Sequence, residues 1–185
     1  GCELKDIWLQ RNPLLVISYL SLRRNGELIH GRKLAQELQI SQSSVSLILR
    51  QLHKLGMVSA TQAGKTITYS ANKSFPMFRS FRQFENQLVL QPLIQAIKES
   101  CRLVILFGSC ATGDDGINSD IDLFVLTDDP ATVRDRIDAI PFDRELRPVI
   151  VDPLELTMME SNDKEFLAEI RKGIVMWEAG HEDTR

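Results

Sequence analysis

The stretch FGSCATGDDGINSDIDLFVL, Phe107 to Leu126, sets a Gly-Ser turn and two carboxylates between two apolar runs. Val104-Ile105-Leu106-Phe107 reads as a buried strand that stops at Gly108-Ser109, where the chain must turn with little side-chain bulk. Ile121 to Leu126 reads as a second strand, and the two-residue period of a strand puts Asp120 and Asp122 on one face. Such a pair suits a divalent cation, because Mg²⁺ takes a few carboxylate oxygens together with the phosphates of a substrate. Gly108 and Ser109 would then give close backbone approach, amide donors and a hydroxyl to phosphate oxygens. Asp120 and Asp122 are therefore the candidate metal ligands and catalytic carboxylates, and Gly108 and Ser109 the candidate nucleotide-binding turn.

Working outward toward the C-terminus, Asp128-Asp129-Pro130 is a turn and Ala131 to Ile140 a short helix with Val133 and Ile137 inward. Glu145 to Val151 reads as a third strand, which Pro148 assigns to an edge or irregular place. Asp152 to Leu156 turns the chain. Lys164 to Trp177 has helical spacing, with Phe166, Leu167, Ile170, Ile174 and Trp177 as its apolar face. On the other side, Pro92 should kink or open a helix whose Leu93, Ile94 and Ile97 cover the sheet. Helix, strand, strand, helix, strand, helix makes a small mixed α/β domain over residues 88–185.

Gly-Ser, ten residues, then Asp-Ile-Asp, on these elements, resembles the minimal nucleotidyltransferases of the DNA polymerase beta superfamily, over roughly Leu88 to Trp177. The resemblance implies Mg²⁺, ATP or another nucleoside triphosphate, and two-metal transfer of a nucleotidyl group to a protein or small-molecule hydroxyl or amine. It also implies a third carboxylate on the following strand. Arg147 stands at that place, with Glu145 two residues earlier on the same face and Asp152 at the strand's end on the opposite parity. Loss of one carboxylate leaves a one-metal, nucleotide-binding site as the alternative to an active enzyme. Cys110 follows the Gly-Ser turn where many relatives carry Arg or another large residue. It reads as an unreactive thiol, and Asp114 and Asp115 read as solvated turn acids rather than ligands. His30, His53 and His181 show no ligand spacing.

The first part of the chain has a different character. Through residue 75 there are ten lysines and arginines against four carboxylates, a net +6, and since the whole chain carries −3 the remainder carries −9. A basic segment joined to an acidic one predicts a polyanion partner for the former. Pro13 to Leu22 reads as a helix with Asn12 as its cap, Gly31 to Leu38 as a second with Leu34, Ala35 and Leu38 inward, and Gln42 to Leu55 as a third. Ser41 caps the third, Gly56 ends it, and Val45, Ile48, Leu49, Leu52 and Leu55 form its apolar stripe. Met57 to Ala60 and Thr66 to Tyr69 alternate as a hairpin turning at Gly64-Lys65.

Three helices and a hairpin, with the phrases Leu34-Ala35-Gln36-Glu37-Leu38, Ile40 to Ser46 and Leu52 to Val58, resemble a winged helix-turn-helix DNA-binding domain over residues 10–72. The third helix would enter a major groove of double-stranded DNA with Gln42, Ser43, Ser46, Arg50 and Lys54, and Lys65 at the hairpin tip would touch the backbone. Leu47 departs from the basic or polar residue expected on that face. A domain serving protein contacts only is the other reading.

The fold expectation is thus α+β: a winged helix-turn-helix domain over 1–75, a helical connection over 76–87, and the nucleotidyltransferase-like domain over 88–185. In the connection, Phe78, Phe81, Phe84 and Leu88 recur at helical spacing, a stripe to be buried on its own domain or in a homodimer seam. No run approaches the 18 or so apolar residues of a membrane span, and no leader-like segment opens the chain, so the expectation is cytoplasmic with no membrane partner. Cys2, Cys101 and Cys110 form neither a CxxC pair nor an even disulfide framework. Three functions fit these residues: a DNA-binding transcriptional regulator whose second domain binds and transfers nucleotides, a non-catalytic regulator with a degenerate nucleotide-sensing or assembly domain, and an antitoxin-like nucleotidyltransferase acting on a toxin or other protein partner.

Overall fold

A computed structural model describes residues 9–180, so the expectations for Cys2 and His181 lie outside the described residues. The chain divides into two units, Gly1–Phe81 and Arg82–Arg185, of α+β structure. In the first unit, helix α1 (Arg11–Ser21) starts two residues before Pro13, with Gln10 rather than Asn12 as N-cap. Strand β1 (Ile29–His30) and helix α2 (Gly31–Leu38) follow. The helix ends because Gln39 turns left-handed at φ 54°, Ile40 is buried, and the Ser41 hydroxyl accepts the Ser44 amide at 3.2 Å to cap helix α3 (Gln42–Lys54). Three residues therefore join two helices.

Val45, Ile48, Leu49 and Leu52 of α3 are buried with Val16, Leu20, Leu34 and Phe78, a stripe at the helical period. Leu55, expected on that stripe, is 45 % exposed, because it is the C-cap and the chain leaves the helix through Gly56 at φ 77°. Strands β2 (Val58–Ala63) and β3 (Thr66–Ala71) pair antiparallel about Gly64-Lys65, where Gly64 supplies the positive φ of a tight hairpin. Strand β1 adds to β3, giving the order β1-β3-β2. This is the winged helix-turn-helix arrangement.

Helix α4 (Pro76–Ile97) is continuous through Pro92, so the expected connection and the helix after it are one element. The aromatic stripe does not share one environment. Phe78 is buried and Phe81 partly buried in the first core, whereas Phe84 and Leu88 are 59 % and 58 % exposed. In the second unit, strands β4 (Leu103–Phe107), β5 (Ile121–Leu126), β6 (Leu146–Val151) and β7 (Ile174–Glu178) form a sheet of order β6-β5-β4-β7. β5 and β6 run parallel and the other pairs antiparallel.

Alternate residues of β4 and β5 enter different cores. Val104, Leu106, Ile121, Leu123 and Val125 pack with Leu90, Leu93, Ile94 and Ile97 of α4 and with Val133 and Ile137 of helix α6 (Pro130–Asp138). Ile105, Phe107 and Phe124 pack on the opposite face with Val151 and with Leu167 and Ile170 of helix α8 (Lys164–Arg171). Burial on both faces is why β4 reads as an unbroken apolar run. Between β4 and β5 lies one short helical turn, α5 (Ser109–Thr112).

Two C-terminal expectations are corrected. Asp152 to Leu156 is not a turn alone: Asp152 caps a further helix, α7 (Pro153–Asn162), in a reciprocal box in which its carboxylate accepts the Leu154 and Glu155 amides at 2.8 Å and Glu155 accepts the Asp152 amide at 2.9 Å. The helix expected over Lys164 to Trp177 ends at Arg171, and Ile174-Val175-Met176-Trp177 is strand β7. Gly173 allows the change, since a Cβ there would collide with the Leu106 carbonyl and lie 2.7 Å from Ile105 Cγ2. Only glycine lets the chain come that close to β4.

Candidate functional site

Where β4 stops, Gly108 takes φ 69° and ψ −154° and begins α5. A Cβ on Gly108 would lie 2.5 Å from Asp122 Oδ2, so the carboxylate occupies the volume a side chain would need. Sheet register explains the approach: Asp122 lies opposite Phe107 on β4 and opposite Arg147 on β6. Phe107, Asp122 and Arg147 thus follow one another across three adjacent strands, with Gly108 the next residue after Phe107. Asp120 immediately precedes β5, and its Oδ2 is 2.7 Å from Arg147 Nη2. All four residues expected to form the site are brought together, with Arg147 added to them. Burial pushes the Asp122 carboxyl above the ordinary carboxylate range; the Arg147 guanidinium opposes this and the Asp120 charge adds to it.

The other candidates for the third carboxylate are otherwise engaged. Asp152 is the α7 cap, and Glu145 is 67 % exposed with its Oε1 3.5 Å from Arg147 Nε. Among the described residues no group of three or more His, Cys, Asp or Glu is placed to hold a metal ion. Asp120 and Asp122 fit one cation completed by phosphate oxygens; a second cation lacks its third carboxylate.

The loop between the turn and Asp120 is held by a buried polar cluster that the spacing did not reveal. Asp115, expected to be solvated, is buried: its Oδ2 is 2.6 Å from Arg82 Nη2 and 3.0 Å from Arg144 Nη1, and its Oδ1 accepts from Asn86 Nδ2 at 3.0 Å. Arg82 also pairs with Glu85. Asn86 Nδ2 donates to the Cys110 carbonyl at 3.1 Å, and Gln83 Nε2 to that of Ala111 at 2.8 Å. Asp114 remains exposed, as expected. The Cys110 thiol donates to the Asp120 carbonyl at 3.2 Å and accepts from Arg144 Nη2 at 3.1 Å. Burial pushes that thiol above its ordinary range, which suits the unreactive role, and Arg144 brings to the turn's neighbourhood the basic group missing at Cys110 itself. The signal in the sequence was the polar set Arg82, Glu85 and Asn86, three and four residues apart and so on one face of α4.

In the first unit, Gln42, Ser46 and Arg50 of α3 face Lys65 and Thr66 of the hairpin and Arg32 of α2 across a cleft of about 630 Å³. Arg50 Nε donates to the Ser46 carbonyl at 3.2 Å, which lays the side chain along the helix. Ser43 and Lys54 are exposed on the same helix but do not line the cleft, and Leu47 is 52 % exposed. His53 Nδ1 lies 3.0 Å from the Val58 carbonyl, and His30 lines the cleft. No described helix is long and apolar enough to cross a membrane.

A fold of this topology, with a glycine turn under an Asp-x-Asp strand, defines the class of the second unit. Residues 91–182 match the family model "Polymerase beta, Nucleotidyltransferase", and this segment is a domain of that family. No curated protein is similar enough to match. Among solved structures the chain is similar to NolR from Sinorhizobium fredii, at 23 % identity over 47 % of this chain and 78 % of that one, with a TM-score of 0.34. It is also similar to apo-NmtR, at 22 % identity over 51 % and 68 %, TM-score 0.29. For the adhesin competence repressor AdcR from Streptococcus pyogenes the values are 19 % identity, 51 % and 73 %, and TM-score 0.35.

Proposed function

We propose that the protein is a DNA-binding transcriptional regulator whose nucleotidyltransferase domain binds a nucleoside triphosphate with Mg²⁺. The observation that carries the nucleotide half is the approach of Gly108 to the Asp122 carboxylate, with Asp120 two residues before it: a turn without side-chain bulk next to two carboxylates. Gly108 and Ser109 receive the phosphates, and Asp120 and Asp122 hold the cation. When bound, the cation neutralises phosphate charge and polarises a phosphoryl oxygen. Binding rather than transfer is the role in which the residues agree, because the place of the third carboxylate is a guanidinium and Asp152 is spent on a helix cap. Calorimetry of ATP with Mg²⁺ against the full chain should give a binding heat that Asp122→Asn abolishes. Absence of heat at about millimolar nucleotide, the weak end of useful affinity, rejects the site.

The DNA half rests on the cleft between α3 and the hairpin. Gln42, Ser46 and Arg50 present the groups that reach base edges and phosphates, and Lys65 stands across from them. Ser43 and Lys54 contact DNA outside the cleft. A mobility shift with duplex DNA at low salt should be lost in the Arg50→Ala, Lys65→Ala double variant, and no shift of the parent chain at low salt rejects the reading.

A further inference from the structure

On Asp120 a cation would meet a competitor already in place. Arg147 Nη2 touches Asp120 Oδ2 at 2.7 Å, a direct charge-assisted contact whose positive charge opposes a cation on the same carboxylate. The guanidinium has somewhere to go. Arg147 is 59 % exposed, and its Nε edge already faces Glu145 Oε1 at 3.5 Å, so leaving Asp120 does not strand the charge. An exposed pair of this kind is weak enough to exchange. A freed guanidinium also presents a planar fork of donors that matches phosphate oxygens.

We propose that Arg147 is a tethered competitor of the site's cation, an inference that rests on the nucleotide reading above. The free divalent cation binds weakly, since it must displace Arg147 from Asp120. A polyphosphate changes the balance by offering the displaced guanidinium new oxygens, so that cation and nucleotide promote each other's binding through Arg147, by the same factor in both directions. The place where relatives of this fold are expected to carry a ligand to the cation here holds a group that selects cation and polyphosphate together over either alone.

Mn²⁺ serves as the probe, its free concentration read by electron paramagnetic resonance and nucleotide binding by calorimetry. Arg147→Gln should bind free Mn²⁺ about three- to tenfold more tightly than the parent chain, the range expected for removing one such ion pair and one like charge. In the same variant ATP should raise Mn²⁺ affinity by a smaller factor than in the parent. Arg147→Lys keeps a positive charge and should keep the weak Mn²⁺ binding, while Asp120→Asn should lose it. Equal Mn²⁺ affinity in the parent and Arg147→Gln, with ATP binding to both, overturns the role of Arg147 and leaves the nucleotide reading intact. Absence of ATP binding in the parent overturns both. Circular dichroism of each variant establishes that it is folded.

Discussion

Two neighbouring aspartates in one loop have opposite environments. Asp114 is exposed, while Asp115 is buried against Arg82 and Arg144. The difference lies in which way the chain turns after Gly113, at φ 77°, and in what it then meets: a guanidinium 33 residues upstream and another 29 downstream. Asp115→Ala leaves the almost fully buried Arg82 without its main counter-charge, and breaking a buried pair from one side costs about 3–5 kcal/mol. Urea denaturation should show a loss of that size. Arg82→Met in the same chain should recover part of it, because an apolar group then replaces the unpaired charge. Since the cluster fixes the carbonyls of Cys110 and Ala111, just past the turn, the single variant should also weaken nucleotide binding.

At the scale of the element, Gly173 decides where a helix becomes a strand. Leu167 and Ile170 continue the helical stripe, and Ile174 and Trp177 fall on the same spacing, so periodicity alone extends α8 by six residues. The β-branched and aromatic run Ile174 to Trp177 suits an edge strand equally well, and pairing with β4 satisfies a row of backbone groups that a longer helix would leave open. Gly173→Ala should destabilise the second unit by about 1–3 kcal/mol, the range for forcing atoms into a filled space, read as a lower denaturant midpoint. Helix α7 makes the complementary case. Its Asp152-Pro153-Leu154-Glu155 start is a capping box with proline at the first position, a local signal fully present in the sequence.

At the scale of the whole molecule, two units and two charge signs are carried on one chain. Arg79 joins the +6 of the first 75 residues, so the winged helix-turn-helix unit through Phe81 carries +7 and the sheet unit −10. An acidic domain adds no phosphate contacts and repels a polyanion. The salt dependence of DNA affinity should therefore report only the few cations of the first unit, and each phosphate-contacting Lys or Arg removed should lower the slope of log affinity against log salt by about 1. Binding isotherms of the parent, Arg50→Ala and Lys65→Ala at several salt concentrations measure it. A slope unchanged in both variants would place the contacts elsewhere on the unit.

The sequence by itself determined whatever is encoded locally: the helix-turn-helix with its Ser41 cap, the hairpin at Gly64, the Gly-Ser turn, and the parity that aligns Asp120 with Asp122. These follow from spacing, capping and backbone freedom within a few residues. Only the tertiary structure decided what faces the carboxylates and what holds their loop. Arg147 reaches Asp120 because β6 runs parallel to β5 in one particular register, and Arg82 and Arg144 reach Asp115 because α4 and the segment before β6 converge on the same loop. Ion pairs between residues far apart in sequence carry no local period, so their strength and partners are fixed only when the sheet has closed.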